Sequence, residues 1–234
     1  MLKQRKPAKL FTRLAGALLP QSCVLCLADS GEASVCQGCA AELPWATAPR
    51  CPVCAIPTPQ GLHCGACLKQ APAFDHTVAA WWYQWPLDRL IPAYKYAGQL
   101  GLTSSLADGL LAQARQADRP QALLAMPLHP DRLRERGFNQ SYELAKQLAS
   151  ALDLPLLQNN VVRTRLTPPQ ASLPLEERHK AIRGVFQAAG DVTGQHIALV
   201  DDVMTSGASL HELAKTLKAA GASRVDCWIL ARTI

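Results

Sequence analysis

Ile197-Ala198-Leu199-Val200-Asp201-Asp202-Val203-Met204-Thr205-Ser206-Gly207-Ala208-Ser209 is the stretch from which the fold of this chain is read. Its first four residues are an unbroken apolar run, the pattern of a central strand buried on both faces. The run stops at two adjacent carboxylates, and ligands of open α/β sheets collect at such carboxyl ends. Small residues then lead into a helical pattern through Leu210, Leu213, Ala214 and Leu217. Small side chains let the backbone curl round an anion, and a helix start offers unpaired N–H groups and the positive end of its dipole. Thr205, Ser206, Gly207, Ala208 and Ser209 therefore read as a phosphate loop. Asp201 and Asp202 would repel that phosphate, so their partners should be ribose hydroxyls, which donate hydrogen bonds, or a magnesium ion. A ribose carrying a 5-phosphate meets both demands. The plainer alternative is an aspartate that caps the following helix.

Working outward, strands are expected at His76–Trp85, Ala122–Met126, 196–200 and 225–231. Helices are expected from Pro86 to Gly98, over 101–115, from about Asn139 onward and over 208–220. This alternation implies a mostly parallel sheet with helices on both faces. Residues 127–138 read as a long polar loop. The stretch 161–174, broken by Pro168, Pro169 and Pro174, reads as a mobile excursion. Trp81, Trp82, Tyr83 and Trp85 form an aromatic cluster suited to packing between modules, with stacking on bases as the other use.

Before this domain lie four Cys-x-x-Cys pairs, Cys23/Cys26, Cys36/Cys39, Cys51/Cys54 and Cys64/Cys67, separated by nine, eleven and nine residues. The symmetry reads as an internal duplication. Two thiolates at this spacing can face one cation, and two pairs complete a tetrahedral sulfur shell, so eight cysteines imply two structural zinc ions. Pairing can be sequential or interleaved. With no open coordination position, such zincs fold the module and do no chemistry. Cys227 lies in an apolar strand and reads as a small core residue.

The chain of 234 residues, 49% apolar, has room for a medium domain and a smaller module. The expected division is a basic N-terminal helix at 1–19, a double zinc-ribbon module at 20–72 and the α/β domain at 73–234. A formal charge of +6 suits polyanionic ligands without requiring nucleic acid. Lys3, Arg5, Lys6, Lys9 and Arg13 all precede the first acid, Asp29. Arg13 interrupts the apolar run from Leu10 to Leu19, which argues against a signal peptide, and no stretch reaches the length of a membrane span. A cytoplasmic location is the expectation.

Val200 to Ser209 resembles the signature of type I phosphoribosyltransferases. Leu18-Leu19-Pro20, Lys95-Tyr96-Ala97-Gly98, Pro127 to Gln140, and Arg163-Thr164-Arg165 with Gln170 and Leu173 resemble the ComF family, also called the GntX or competence-protein family. The resemblance implies a type I phosphoribosyltransferase-like domain behind a double zinc ribbon, with phosphoribosyl pyrophosphate and magnesium in its pocket. It implies that Asp201 and Asp202 contact the ribose hydroxyls as the catalytic pair, that Thr205 to Ser209 hold the 5-phosphate, and that the 127–138 stretch faces pyrophosphate. Arg132, Arg134 and Arg136 there supply donors for a doubly charged leaving group. Ala181-Ile182-Arg183-Gly184-Val185-Phe186 departs from relatives, which often carry Asn in this stretch. The excursion 163–180 suits a lid, with Arg163, Arg165 and Arg178 closing over the ligand. The process implied is natural competence, or use of external DNA, with single-stranded DNA and a ComFA-like helicase as candidate partners. The readings left open are a phosphoribosyltransferase of unread acceptor, a ligand sensor without turnover, a DNA-binding factor, and a structural partner of the uptake machinery.

Overall fold

In a computed structural model, residues 21–167 and 180–234 are described. The basic N-terminal segment, the prolines at 168, 169 and 174, Gln170, Leu173 and Arg178 lie outside them. The chain divides into two compact units, Met1–Leu43 and Pro44–Ile234. The second four-cysteine group therefore belongs by packing to the unit that contains the sheet.

That sheet has five strands in the order β1-β7-β6-β2-β3, all parallel. They are β1 (His76–Trp82), β2 (Ala122–Ala125), β3 (Leu156–Leu157), β6 (His196–Met204) and β7 (Arg224–Arg232). β4 (Val161–Arg163) and β5 (Phe186–Ala188) form a separate antiparallel pair. Alternate side chains of a strand point to opposite faces, and the residues sort accordingly. Ile197, Leu199, Val225, Cys227 and Ile229 share a core with Leu210, Leu213 and Leu217 of the helix Ala208–Ala219. Val200, Trp228 and Leu230 alternate with them and are also buried. Helices α3 (Leu87–Tyr96), α4 (Leu102–Ala114), α5 (Pro130–Arg136) and α6 (Gln140–Leu152) precede α7 (Ala208–Ala219). Gly109 of α4 lies where a Cβ would come within 2.1 Å of the Trp81 ring, so only glycine allows this close approach to β1.

The four-cysteine groups repeat one local geometry. Leu27 and Ala55, each directly after the second cysteine of a pair, have positive φ of 64° and 57°. Their N–H groups donate to the Cys23 and Cys51 carbonyls at 2.8 and 2.9 Å. Cys36 and Cys64 then cap short helices, α1 (Gln37–Ala41) and α2 (Gly65–Lys69), by accepting from the N–H of Cys39 and Cys67. The duplication seen in the spacing is thus a duplication in three dimensions. In the second unit, residues 44–46 lie along the outer edge of β1. There the Trp82 N–H donates to the Pro44 carbonyl and the Ala46 N–H to the Ala80 carbonyl, and the Trp45 and Trp81 rings sit 5.1 Å apart. Covering the edge strand in this way removes an open pairing template.

Two expectations are corrected. Residues 130–136 are helical, where a polar loop was expected. Pro130 opens the helix, the His129 ring accepts from the Asp131 N–H, and Gly137 closes it at φ 82°. The segment holds one large apolar residue, Leu133, so its hydrophobic pattern is too thin to show a helix, although Pro at the start and Gly at the end are helix punctuation. β6 also runs past Val200 to Met204, which places both acids inside the strand. Of the excursion, residues 161–167 are described, and 161–163 among them pair with 186–188 as a strand.

Among its described residues, 21–43, the first unit buries few large side chains, Val35 and Leu43 among them, so metal ligation must supply the stability of this stretch. Adding a chelator should abolish amide-exchange protection over residues 21–43 while β6 and β7 keep theirs. Simultaneous loss in both would show that the sheet also depends on that metal.

Candidate functional site: an acid pair beside a phosphate loop

Asp201 and Asp202 sit near the carboxyl end of β6, and their side-chain partners come from two other elements, α3 and α6. Asp202 is 3% exposed. Its Oδ2 meets the Lys95 Nζ of α3 at 2.7 Å and accepts from Gln140 Nε2 of α6 at 3.1 Å, and its Oδ1 accepts from the Val203 N–H. Asp201 Oδ1 accepts from the Ser141 hydroxyl at 2.9 Å and from the Asp202 N–H at 2.9 Å. Asn139 makes this possible. Its side chain caps α6 by accepting from the Ser141 and Tyr142 N–H groups, while its Nδ2 donates to the Met126 carbonyl just beyond β2. The first turn of α6, the positive end of its dipole, is thereby held against the two carboxylates. Tyr94 fixes α3 to the same place, because its hydroxyl donates to the Gln140 carbonyl at 3.0 Å. Burial pushes that phenol up to about 12.

The two acids titrate apart. Burial, then the neighbouring Asp202 carboxylate, raise Asp201 to about 7, against the lowering effects of Lys95, the Asp202 N–H and Ser141. Burial also penalises Asp202, but Lys95 and the hydrogen bonds around it hold its carboxyl below the usual range. Burial would depress the Lys95 ammonium, yet Asp202 and Asp201 keep it above its ordinary value. The pair thus carries one firm negative charge, matched by one lysine, and one carboxylate poised near neutrality.

Beyond Met204 the backbone turns through Thr205 and Ser206 to Gly207, which is left-handed at φ 77° and leaves α7 without a side-chain cap. Any other residue would be strained there. The Ser206 hydroxyl accepts from the Ala208 N–H at 3.4 Å. The expected phosphate loop, Thr205 to Ser209, therefore stands directly after the acid pair and opens on a helix start suited to an anion.

The three arginines of α5 differ. Arg136 donates to Gln140 Oε1 at 2.5 Å and lies 5.1 Å from the centre of the Tyr96 ring, so Gln140 links it to Asp202. Arg132 is one helical turn away on the same face and pairs with Glu135 at 2.7 Å. Arg134 pairs with Asp131 toward solvent, with 77% of its side chain exposed. From β4, Arg163 stacks over Phe186 at 5.8 Å and donates to the Thr167 hydroxyl, while its Nε is buried without a hydrogen-bond partner. Burial lowers this guanidinium, Asp201 raises it and Arg132 lowers it, so all three charges share one neighbourhood. Glu212 of α7, itself buried, accepts from the Gly184 N–H at 2.7 Å and ties the turn before β5 to α7.

Lys95, Gln140 and Ser141 were not read as site residues from the sequence. Two signals pointed to them: Lys95 opens the Lys95-Tyr96-Ala97-Gly98 motif, and Asn139 is a strong helix cap that had to hold the next residues near some strand end.

Each four-cysteine group brings its sulfurs within 4.8 Å of one another, Cys23, Cys26, Cys36 and Cys39 in one and Cys51, Cys54, Cys64 and Cys67 in the other. The pairing is therefore sequential. The Cys26–Cys36 and Cys54–Cys64 sulfurs are 3.7 and 3.5 Å apart. That is far beyond a disulfide bond of about 2.05 Å. It is close to the edge, about 3.8 Å, of a tetrahedron with zinc–sulfur bonds of about 2.3 Å. The residues fit zinc.

The architecture and these sites define a phosphoribosyltransferase-type α/β domain preceded by two four-cysteine zinc ribbons. Family comparison agrees: residues 14–68 match the double zinc ribbon domain, and residues 136–233 match the phosphoribosyl transferase domain. Competence protein F of Haemophilus influenzae is 36% identical over 179 residues, covering 73% of this chain and 78% of that protein. DNA utilization protein YhgH of Escherichia coli K12 is 34% identical over 191 residues, covering 79% and 84%. Competence protein ComFC of Bacillus subtilis is 25% identical over 86% and 85% of the two chains. The chain belongs to the ComF family of competence proteins. No helix among the described residues is long and apolar enough to cross a membrane.

Because Asp201 is raised from 3.8 to about 7, the folded chain holds a proton there that the unfolded chain has lost between those values. Its contribution to stability therefore falls as pH rises through that window. Asp201→Asn should flatten the decline in urea midpoint between pH 5 and pH 8. A variant that kept the parent's slope would show that Asp201 ionises normally.

Proposed function

We propose that the acid pair and the loop after it form a pocket for phosphoribosyl pyrophosphate, and that the chain acts as a phosphoribosyltransferase in the use of external DNA. The observation that carries this reading is the direct succession, on one strand end, of an acid pair with Asp202 buried and Asp201 half-buried and an uncapped, glycine-opened helix start. Ribose hydroxyls would donate to Asp201 and Asp202, and the 5-phosphate would accept from the backbone of Thr205 to Ser209. Arg132 and Arg136, with Arg163 opposite, supply the positive charge for the pyrophosphate. Arg134 would join them only by leaving Asp131. The names of the relatives, competence protein and DNA utilization protein, support the process.

Magnesium fits this pocket as a companion of the pyrophosphate oxygens. Three of the four carboxylate oxygens of the acid pair already accept a hydrogen bond or meet Lys95, which favours an ion brought by the ligand over one bound beforehand. In the transfer, the bond from the ribose C1 to the pyrophosphate oxygen breaks and its electron pair leaves with pyrophosphate, while the acceptor supplies the pair for the new bond. Fixed arginines stabilise the charge on the leaving group, and a nearby aspartate stabilises the positive character of the ring.

Calorimetric titration with phosphoribosyl pyrophosphate and magnesium should show binding to the parent chain, with at least tenfold weaker binding to Asp201→Asn/Asp202→Asn, a difference of about 1.4 kcal/mol. Pyrophosphate release on adding a panel of nucleobases then identifies the acceptor. Equal binding by parent and double variant would refute the pocket.

A further inference from the structure

We infer that Arg232 is a positioning residue that holds the phosphate loop against the second four-cysteine group, making that group a structural part of the phosphoribosyl pocket. The inference rests on the pocket proposed above and adds a residue that ends β7, after the apolar run Cys227 to Ala231.

Arg232 is 4% exposed, and no carboxylate faces it among the described residues. A buried cation must be compensated by other means. Its Nε donates to the Cys54 carbonyl at 2.8 Å. One terminal nitrogen shares its two hydrogens among the Met204 carbonyl at 2.9 Å, the Thr205 carbonyl at 2.5 Å and the Thr233 carbonyl at 2.7 Å. A planar guanidinium can reach in both directions at once, and a lysine ammonium cannot. The compensating charge comes from the cysteines, since a dication held by four thiolates keeps a net negative charge.

The grip on the metal-binding turn is wider than one bond. The Thr77 N–H of β1 donates to the Pro52 carbonyl at 3.1 Å and its hydroxyl to the Val53 carbonyl at 2.5 Å. Three successive carbonyls of the Cys51–Cys54 turn are therefore held by β1 and β7. On the other side, a trans peptide points its C=O and the following N–H in opposite directions. Holding the Met204 and Thr205 carbonyls toward Arg232 turns the Thr205 and Ser206 N–H groups away from it, as a phosphate cradle needs. Phe74, in the linker after the second group, lies close enough that a Cβ on Gly207 would be 3.6 Å from its ring. The Ala73 N–H also donates to His211 Nδ1 of α7 at 3.0 Å.

The test uses the zinc-loaded full chain and its Arg232→Met and Arg232→Lys variants. Metal content should stay at two zincs per chain. Without ligand, amide exchange over residues 205–209 should quicken about tenfold or more in Arg232→Met, the scale of losing one charged hydrogen bond, with partial rescue by Arg232→Lys. Affinity for ribose 5-phosphate should fall by a similar factor. A folded, two-zinc Arg232→Met chain with parental exchange at 205–209 would overturn the inference. If that variant does not fold, graded chelation of the parent decides. Exchange at 205–209 should rise in step with the reactivity of Cys54 and Cys64 toward a thiol reagent, and loop exchange that stays constant while those thiols open would also overturn it. Failure of the parent to bind ribose 5-phosphate would count against the pocket and leave the exchange measurements as the reading of the tether.

Discussion

The carboxyl end of β6 is arranged around the cost of keeping two carboxylates side by side, Asp202 buried and Asp201 half-buried. Adjacent acids on a parallel strand repel one another and lose solvation together, so at least one charge must be answered by the fold. Lys95 answers for Asp202, and the first turn of α6 answers for both through Gln140 and Ser141. That requirement explains why α3 and α6 approach β6 here and why Tyr94 and Asn139 bind them so tightly. It also leaves Asp201 as the carboxyl whose charge responds to pH or to a bound partner.

A second constraint works from the other side of the strand end. The loop proposed to hold the phosphate is short and opens through a left-handed glycine, so its own residues do little to fix its carbonyls. Arg232 does so from β7, using as counter-charge a metal centre that takes no part in chemistry. The second zinc ribbon is in this account a part of the domain, and the division of the chain between residues 43 and 44 agrees with that.

Much of the fold was legible because the strands and helices carry strong hydrophobic periods. α7 and β7 fall where the apolar runs put them, β6 starts where its run does but continues through both acids to Met204, and the four cysteine pairs announce two metal centres by spacing alone. The α5 helix was hidden because it buries almost nothing and is held by its caps. The acid pair could be read as acids at a strand end, but their partners could not. Lys95 and Gln140 lie more than 60 residues away in sequence, and only the packing of α3 and α6 brings them together. Arg232 was hidden for a related reason: a single basic residue ending an apolar strand looks like an exposed terminus, and its burial depends on a turn nearly 180 residues earlier. Among the arginines of α5, sequence could not separate Arg136, linked to the acid pair, from Arg134, which pairs outward.

The account turns on where a phosphorylated ribose sits. A crystal structure of the zinc-loaded chain soaked with ribose 5-phosphate addresses this directly. The account predicts the phosphate within hydrogen-bond distance of the Thr205 to Ser209 amides and the ribose hydroxyls on Asp201 and Asp202. Sugar phosphate density at another position, with the Lys95–Asp202 pair and the loop untouched, would contradict it.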